Sequence, residues 1–188
     1  MSREYKIFGA ELSPYSVKTR SYFRYKKIPH EWLLRSPSNA DEFKKYAKLP
    51  IVPLVVTPNK EGMQDSTPIM DKMEDLFPEP QANPKDEVLK FISILLEEYS
   101  DEWGNKHMFH YRWKAKVDQM SASRRIAEVN MPFLVKFLPI VNTLIKNKIA
   151  KTIKERMSKR LWVIGSNKNT ENQITKSFHN LLSKLNHH

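Results

Sequence analysis

Proline is three times as common as glycine in this chain: twelve prolines stand against four glycines in 188 residues. Proline interrupts helices and is excluded from central strands, whereas an all-β chain needs glycine for its turns. The imbalance therefore predicts a helix-rich chain that proline divides into segments. Forty per cent of the residues are apolar, enough for a real core in one domain or two small ones, so wholesale disorder is not expected.

Strand and helix signals alternate over about the first 80 residues, which is the size of one small α/β layer domain. Each helix start carries a polar cap or a proline, and each strand is rich in β-branched or aromatic residues. The predicted order is βαβαββα. Its elements are a strand Tyr5 to Phe8, a helix from Ser13-Pro14 to about Ile28, a strand His30 to Leu34, a helix Asp41 to Lys48, a strand from Pro53, a hairpin return at Lys60 to Met63, and a helix Thr67 to Phe77.

A second, all-helical domain is predicted after a proline-rich linker. Pro78, Pro80 and Pro84 interrupt the chain, and apolar residues then recur at helical spacing. We predict domains at 1–79 and 85–188 with the linker at 80–84, and the helical domain looks short. The helices expected beyond the first one are Val117 to Phe137, Ile140 to Leu161 and Thr170 to Leu185.

Charge and cysteine content restrict the possible functions. The net charge of +11 could attract nucleic acid, acidic lipids or small anions, but the lysines are spread along the chain, which favours a solvated basic surface. The absence of cysteine excludes disulfides, zinc–thiolate sites and thiol chemistry on the protein itself. The N-terminus is charged and has no signal-like apolar region, so we expect a cytoplasmic protein.

Three motifs follow one another in the first 80 residues: Ser13 to Arg20, Ile51-Val52-Pro53-Leu54 and Asp65-Ser66. In this order they resemble the catalytic turn, the cis-proline segment and the acidic-Ser pair of the glutathione S-transferase family. The first domain of that family is a thioredoxin-like βαβαββα unit, and the second is a helical bundle. Each motif alone is common. Together, inside a matching order of elements, they are fairly specific over residues 5 to 77.

The resemblance implies a glutathione site. Ser13 would be catalytic, because a hydroxyl at a helix N-terminus can stabilise the thiolate of glutathione, with Tyr15 and Ser16 as competing donors. Val52 would pair its main chain with the cysteinyl part of the ligand beside a cis Pro53. Asp65 and Ser66 would bind the γ-glutamyl end. The glycyl carboxylate would meet a base among Lys44, Lys45 and Lys48, none of which can be selected.

Each of these residues also has a purely structural interpretation. Ser13 caps a helix whose first position is proline, and Asp65 and Ser66 are good helix caps in their own right. A trans proline could also start the strand at Pro53. The family more often has Glu before the Ser, so Asp65 has a shorter reach toward the ligand ammonium.

The helical domain carries weaker signals. An aromatic stretch could line the pocket for an electrophile, although such a stretch is more often core. His107 and His110 have helix-compatible metal spacing but no clear third ligand, so no metal is expected. Basic residues stud the helix from Ile140 onward, which could lie on an anionic membrane or pair with a partner, though a solvated helix is the simpler interpretation. The aromatic residues are Tyr99, Trp103, Phe109, Tyr111 and Trp113.

The leading hypothesis is a glutathione transferase that activates the thiol of its co-substrate for attack on a small hydrophobic electrophile in the cleft between the domains. Because cysteine is absent, conjugation or peroxide reduction remains open, while mixed-disulfide transfer on the protein is excluded. The resemblance further implies detoxification and a homodimer, and nucleic acid is not expected as a partner. The alternative hypothesis is a non-catalytic transferase-like interaction module, associated with a membrane surface through the basic helical region.

Overall fold

The computed structural model describes residues 4–132 and 139–187. The chain divides into two compact units, one up to Ser93 and one from Ile94 onward, so the division lies within a helix. The predicted boundaries at 79 and 85 stay a prediction. No helix within the described ranges is long and apolar enough to cross a membrane.

The first unit has the predicted βαβαββα order, which confirms the thioredoxin-like fold. The elements are β1 (Tyr5–Gly9), α1 (Pro14–Tyr25), β2 (His30–Leu34), α2 (Ala40–Tyr46), β3 (Leu54–Val56), β4 (Gly62–Gln64) and α3 (Ser66–Leu76). The four-stranded sheet has the strand order β2-β1-β3-β4, with β1 parallel to β2 and antiparallel to β3. A parallel pair requires a crossover, and α1 provides it.

The core of this unit occupies both faces of the sheet. Ile7 of β1 belongs to a buried cluster that includes Phe23 of α1 and Met73 of α3. The next residue, Phe8, belongs to a second cluster with Phe43 of α2. Because successive strand residues point to opposite faces, β1 serves both clusters and is buried from both sides.

The second unit consists of helices. These helices are α4 (Glu87–Tyr99), α5 (Asn105–Lys114), α6 (Lys116–Val129), α7 (Pro139–Ser158) and α8 (Glu171–Asn186). α4 begins within the first unit and is followed by a short π-helical turn at Ser100–Gly104. A 3₁₀ turn at Leu161–Ile164 follows α7.

Several predicted helix ends differ from the structure: α1 ends at Tyr25 rather than near Ile28, α7 ends at Ser158 rather than Leu161, and the largest difference is in α6. The helix expected to run from Val117 to Phe137 ends at Val129, with Asn130 as its cap. Pro132 explains the early end, because the residue before a proline is disfavoured in the helical region. The rest of that prediction, from residue 133, lies outside the described residues.

Candidate active site

Three loops leave the sheet of the first unit at the same edge. Phe8 pairs with Leu54, and Leu54 pairs with Gln64. One step beyond this row, β1 continues into the loop that precedes Ser13, Pro53 enters β3, and β4 leads to Asp65 and Ser66. The strand register therefore gathers all three motifs along one edge of one sheet.

Ser13 is the N-cap of α1. Its hydroxyl oxygen accepts a hydrogen bond from the Ser16 amide at 3.2 Å, as the capping interpretation predicts. This bond uses a lone pair of the oxygen, so the same hydroxyl can still donate its proton. The first turn of α1 contains no acidic residue, which leaves the positive end of the helix dipole available to an anion.

The two competing donors differ in accessibility. Ser16 is fully buried, and its hydroxyl oxygen has no hydrogen-bond partner among the described residues. Tyr15 is half-buried. Ser13 is half-buried rather than fully buried, so its hydroxyl is the more accessible of the two serines at the start of α1.

The loop before Ser13 is held by a cluster that sequence reasoning did not identify. Glu11 binds Arg20 through two hydrogen bonds of 2.8 and 3.1 Å and accepts a third from the Trp32 indole at 3.0 Å. The Arg20 guanidinium lies 4.3 Å from the Trp32 ring centroid. Trp32 also packs against Gly9 so closely that any side chain at position 9 would overlap its ring. This cluster positions the start of α1 relative to β1 and β2.

The Val52–Pro53 peptide bond is cis, as the resemblance implied. The segment before it is fixed by the side-chain amide of Gln64. The amide oxygen accepts hydrogen bonds from Lys48 N and Leu49 N at 2.8 and 2.9 Å, and the amide nitrogen donates to the carbonyls of Leu49 and Ile51 at 2.8 and 2.9 Å. All four hydrogen-bonding positions of this amide are therefore used.

Asp65 and Ser66 begin α3, as predicted. Asp65 is the N-cap and has a φ of 76°, a conformation that favours glycine and is costly for a residue with a side chain. Ser66 is 2% exposed and occupies the first turn, where backbone amides lack partners within the helix. Lys18 of α1 donates a hydrogen bond to Thr67 at 3.3 Å, which links this helix start to α1.

The basic residues near the cis-proline segment have distinct surroundings. Lys44 is exposed and lies 3.8 Å from Asp41, and Lys45 lies over the Tyr46 ring. Lys48 is joined to Gln64 through its backbone. Sequence reasoning missed Arg35, which lies just past β2 and donates to the Pro50 carbonyl at 3.4 Å. Through this hydrogen bond, the Arg35 guanidinium contacts the loop that leads to Val52.

No group of three potential metal ligands is found among residues 4–132 and 139–187. His107 and His110 are buried and face serines instead, with His107 Nε2 at 3.2 Å from Ser177 Oγ and His110 Nδ1 at 2.8 Å from Ser166 Oγ. Burial lowers the pKa of both histidines. They are structural residues of the helical core.

The aromatic stretch is only partly core. Trp113 is 1% exposed, whereas Trp103 is 57% exposed. Tyr99 helps to line an apolar cavity of about 550 Å³ within the second unit, together with Leu95 and Leu96 of α4 and Leu181 of α8. Two lysines, Lys176 and Lys184, are also part of its lining.

The first unit is a thioredoxin-like domain. At one edge of its sheet it combines a capped helix start, a cis proline and an acidic-Ser pair. Residues 7–81 match the family described as "Glutathione S-transferase, N-terminal domain". The first unit is accordingly similar to the N-terminal domain of the glutathione S-transferases over residues 7–81, which confirms the resemblance for that part of the chain.

Solved structures agree at the level of fold. The tau-class glutathione S-transferase of mango (Mangifera indica) is 16% identical with a TM-score of 0.51, and the similarity covers 87% of this chain and 100% of that one. An enzyme from Methylobacterium radiotolerans, solved with glutathione sulfonate, is 17% identical over 84% and 90% of the two chains, with a TM-score of 0.51. One from Rhodospirillum rubrum is 16% identical over 95% and 87%, with a TM-score of 0.52. No curated protein matches the sequence significantly.

Proposed function

We propose that this protein is a glutathione transferase whose first unit binds glutathione along the sheet edge formed by Ser13, Val52-Pro53 and Asp65-Ser66. The observation that carries the proposal is the register Phe8–Leu54–Gln64, which aligns the three segments. The relative from M. radiotolerans was solved with glutathione sulfonate, which supports a ligand of this class.

The γ-glutamyl end of glutathione carries an ammonium and a carboxylate. The Asp65 side chain offers a carboxylate to the ammonium, and the Ser66 hydroxyl and amide offer donors to the ligand carboxylate at the start of α3. Residues held in costly backbone conformations cluster at ligand sites, which fits the positive φ of Asp65. Arg35 is the proposed partner of the glycyl carboxylate because of its contact beside the cis-proline segment.

The thiol of bound glutathione is the nucleophile, because the chain has no cysteine of its own. The N-terminus of α1 stabilises a nearby anion by about 0.3–1 kcal/mol when it is exposed and up to about 2 kcal/mol when it is partly buried. A hydrogen bond donated by Ser13 adds to this stabilisation. Both effects favour the thiolate, so more nucleophile is present at neutral pH.

In the proposed reaction, the thiol first releases its proton to solvent, and the thiolate then forms a carbon–sulfur bond with an apolar electrophile. The electrophile expels an anionic leaving group or, if it is an activated alkene, takes up a proton from water. The apolar cavity lined by Leu95, Leu96 and Tyr99 in the second unit supports this part of the proposal, because its lining suits a small hydrophobic molecule. A cytoplasmic, detoxifying homodimer is the setting we propose for this activity.

The test separates binding from turnover. Glutathione affinity is measured by calorimetry, and conjugation is measured with chlorodinitrobenzene. We expect Ser66→Ala to weaken glutathione binding by about tenfold or more, since a charge-assisted hydrogen bond is lost. Ser13→Ala should lower kcat/KM by about tenfold to a hundredfold while binding changes little, and the ultraviolet absorbance of the thiolate should titrate at a higher pH. Ser21→Ala is the matched control, because Ser21 lies exposed on the same helix.

Three results would contradict parts of this proposal. Failure of the wild-type chain to bind glutathione would remove the ligand assignment altogether. Binding that depends on Ser66 but is accompanied by no turnover would favour the non-catalytic interaction module. Turnover that is unchanged in Ser13→Ala would instead remove the catalytic role of Ser13.

A further inference from the structure

The 3₁₀ turn that follows α7 exposes two large apolar side chains. Trp162 is 75% exposed and Val163 is 62% exposed, on the turn Leu161–Ile164. We name these two residues the apolar tip. Large apolar side chains exposed at two successive positions leave apolar surface in water, and exposed apolar surface of this kind can mark an interaction site.

The apolar tip lies within the most basic part of the chain. Eight basic residues and one acidic residue, Glu155, lie between positions 146 and 168. Arg156, Lys159 and Arg160 precede the tip directly and are exposed. Within the part of the chain that the structure describes, no salt bridge involves these three side chains. We name them the basic collar.

The combination of tip and collar matches the chemistry of an anionic bilayer surface. Tryptophan is favoured at the membrane interface because its ring is apolar and its N–H is polar. Arginine and lysine bind anionic headgroups, and their long side chains let the charge stay in the headgroup layer while a neighbouring apolar group enters. An aliphatic side chain such as Val163 gains from entering a bilayer, whereas a nucleic acid backbone offers it little apolar surface.

A second exposed tryptophan shows that exposure alone does not define this surface. Trp103 is 57% exposed, but Asp101 and Glu102 precede it, and the Lys106 ammonium lies 3.9 Å from its ring centroid. The negative charge of these two neighbours disfavours binding of Trp103 to an anionic membrane. The Lys106 ammonium also already covers one face of the Trp103 ring. The chain therefore supplies its own matched comparison for Trp162.

We propose that residues 156–163 dock on an anionic phospholipid bilayer, with Trp162 and Val163 entering the interface and Arg156, Lys159 and Arg160 binding the headgroups. The docking is peripheral. It does not depend on the proposed glutathione site, whose residues all belong to the first unit.

The test is co-sedimentation of the full chain with phosphatidylcholine vesicles prepared with and without phosphatidylserine. We expect binding only when phosphatidylserine is present, and weaker binding at high salt. Trp162→Ala should weaken it about tenfold, because the entry of one aromatic side chain is lost. Lys159→Glu combined with Arg160→Glu should weaken it about thirtyfold or more. Trp103→Ala and the pair Lys85→Glu and Lys90→Glu are the matched controls, which should bind as the wild type does.

Several results would overturn the proposal. Binding that is absent, independent of phosphatidylserine, or unchanged in Trp162→Ala would do so. Tighter binding to random-sequence DNA than to vesicles, lost with the two charge reversals but not with Trp162→Ala, would assign the collar to nucleic acid instead. The Trp162→Ala protein should bind glutathione as tightly as the wild type does. Failure of membrane docking can therefore be distinguished from failure of the proposed glutathione site.

Discussion

The two compact units fill their interiors with different kinds of side chain. The first buries large apolar residues on both faces of a sheet, including Ile7, Phe8, Phe23 and Met73 at 0% exposure. In the second, the described buried residues are mostly small or polar, apart from Trp113 and Met131. The small or polar ones are Ala122, Ala127, Ala150, His107, His110, Ser123 and Ser166. The first core gains stability from apolar area, whereas the second depends more on close helix approach and histidine–serine contacts.

The largest effect is expected from a cavity in the first core. Phe23→Ala removes a fully buried ring that packs edge-on against the rings of Tyr5 and His30. The distances between ring centroids are 5.6 Å to Tyr5 and 5.5 Å to His30. We expect a loss of about 3–5 kcal/mol in the free energy of unfolding. Phe109→Ala, in the half-buried part of α5, should cost about half as much. Chemical denaturation followed by segment-resolved hydrogen exchange measures each unit, and equal losses would contradict the contrast between the two cores.

A smaller loss is expected when a buried charge in the first unit loses its partner. The side chain of Lys26 is fully buried, and its ammonium lies 2.7 Å from Glu74. Although burial alone would raise the pKa of Glu74, hydrogen bonds from Lys26 and Tyr22 hold it below its ordinary value. Glu74→Ala leaves this ammonium without a carboxylate, with hydrogen bonds to the carbonyls of Phe77 and Pro78, and we expect a loss of about 3 kcal/mol. Glu42→Ala is the control: its pair with Lys6 is also 2.7 Å long but half-exposed, so about 1 kcal/mol or less is expected.

The second unit should be the more sensitive to acid. The pKa values of His107 and His110 are lowered, chiefly by burial, so the unfolded chain binds protons at these rings more readily than the folded chain does. The stabilisation is therefore complete above about pH 6.5 and is lost as the pH falls through that value toward the lowered pKa, by at most about 1.4 kcal/mol per pH unit for each ring. Hydrogen exchange at pH 7 and at pH 5.5 should show α5 losing protection in acid. If the double variant His107→Gln, His110→Gln keeps the same acid dependence, other groups are responsible.

The smallest effect is expected at the surface of the second unit. Glu128 of α6 and Lys146 of α7 form an exposed pair at 2.8 Å. Glu128→Gln should cost between about 0.2 and 1 kcal/mol at low ionic strength, and the difference should vanish in high salt because exposed pairs are screened. Thermal unfolding at both salt concentrations measures it. A larger loss that persists in salt would mean that the second core depends on charge after all.

The first unit could be predicted from sequence because its signals are local. Ser13-Pro14 sets the start of α1, Pro29 stops the segment before β2, and β2 lies at His30–Leu34 as predicted. The sequence of the second unit has fewer such local signals at the boundaries of its helices. The π-helical turn at Ser100–Gly104 follows a continuous helical pattern, and no sequence rule distinguishes the buried Trp113 from the exposed Trp103.

The site shows the same division between local and distant information. Ser13, Pro53, Asp65 and Ser66 were identifiable because each lies in a short motif at an element boundary. The Glu11–Arg20–Trp32 cluster and the Gln64 amide were not, since their partners lie 9 to 21 and 13 to 16 residues away in the chain. Such pairings exist only once the strand register is formed.

The four hydrogen bonds of Gln64 link the segment before Pro53 to the start of α3. Gln64 holds the strand entry at Leu49 and Ile51 and is covalently joined to Asp65. A shift of α3 by a fraction of an ångström would be transmitted to the cis-proline segment, and the reverse also holds. An engineer who wishes to alter ligand preference here must redesign both segments in concert, because a change confined to either one would be felt by the other.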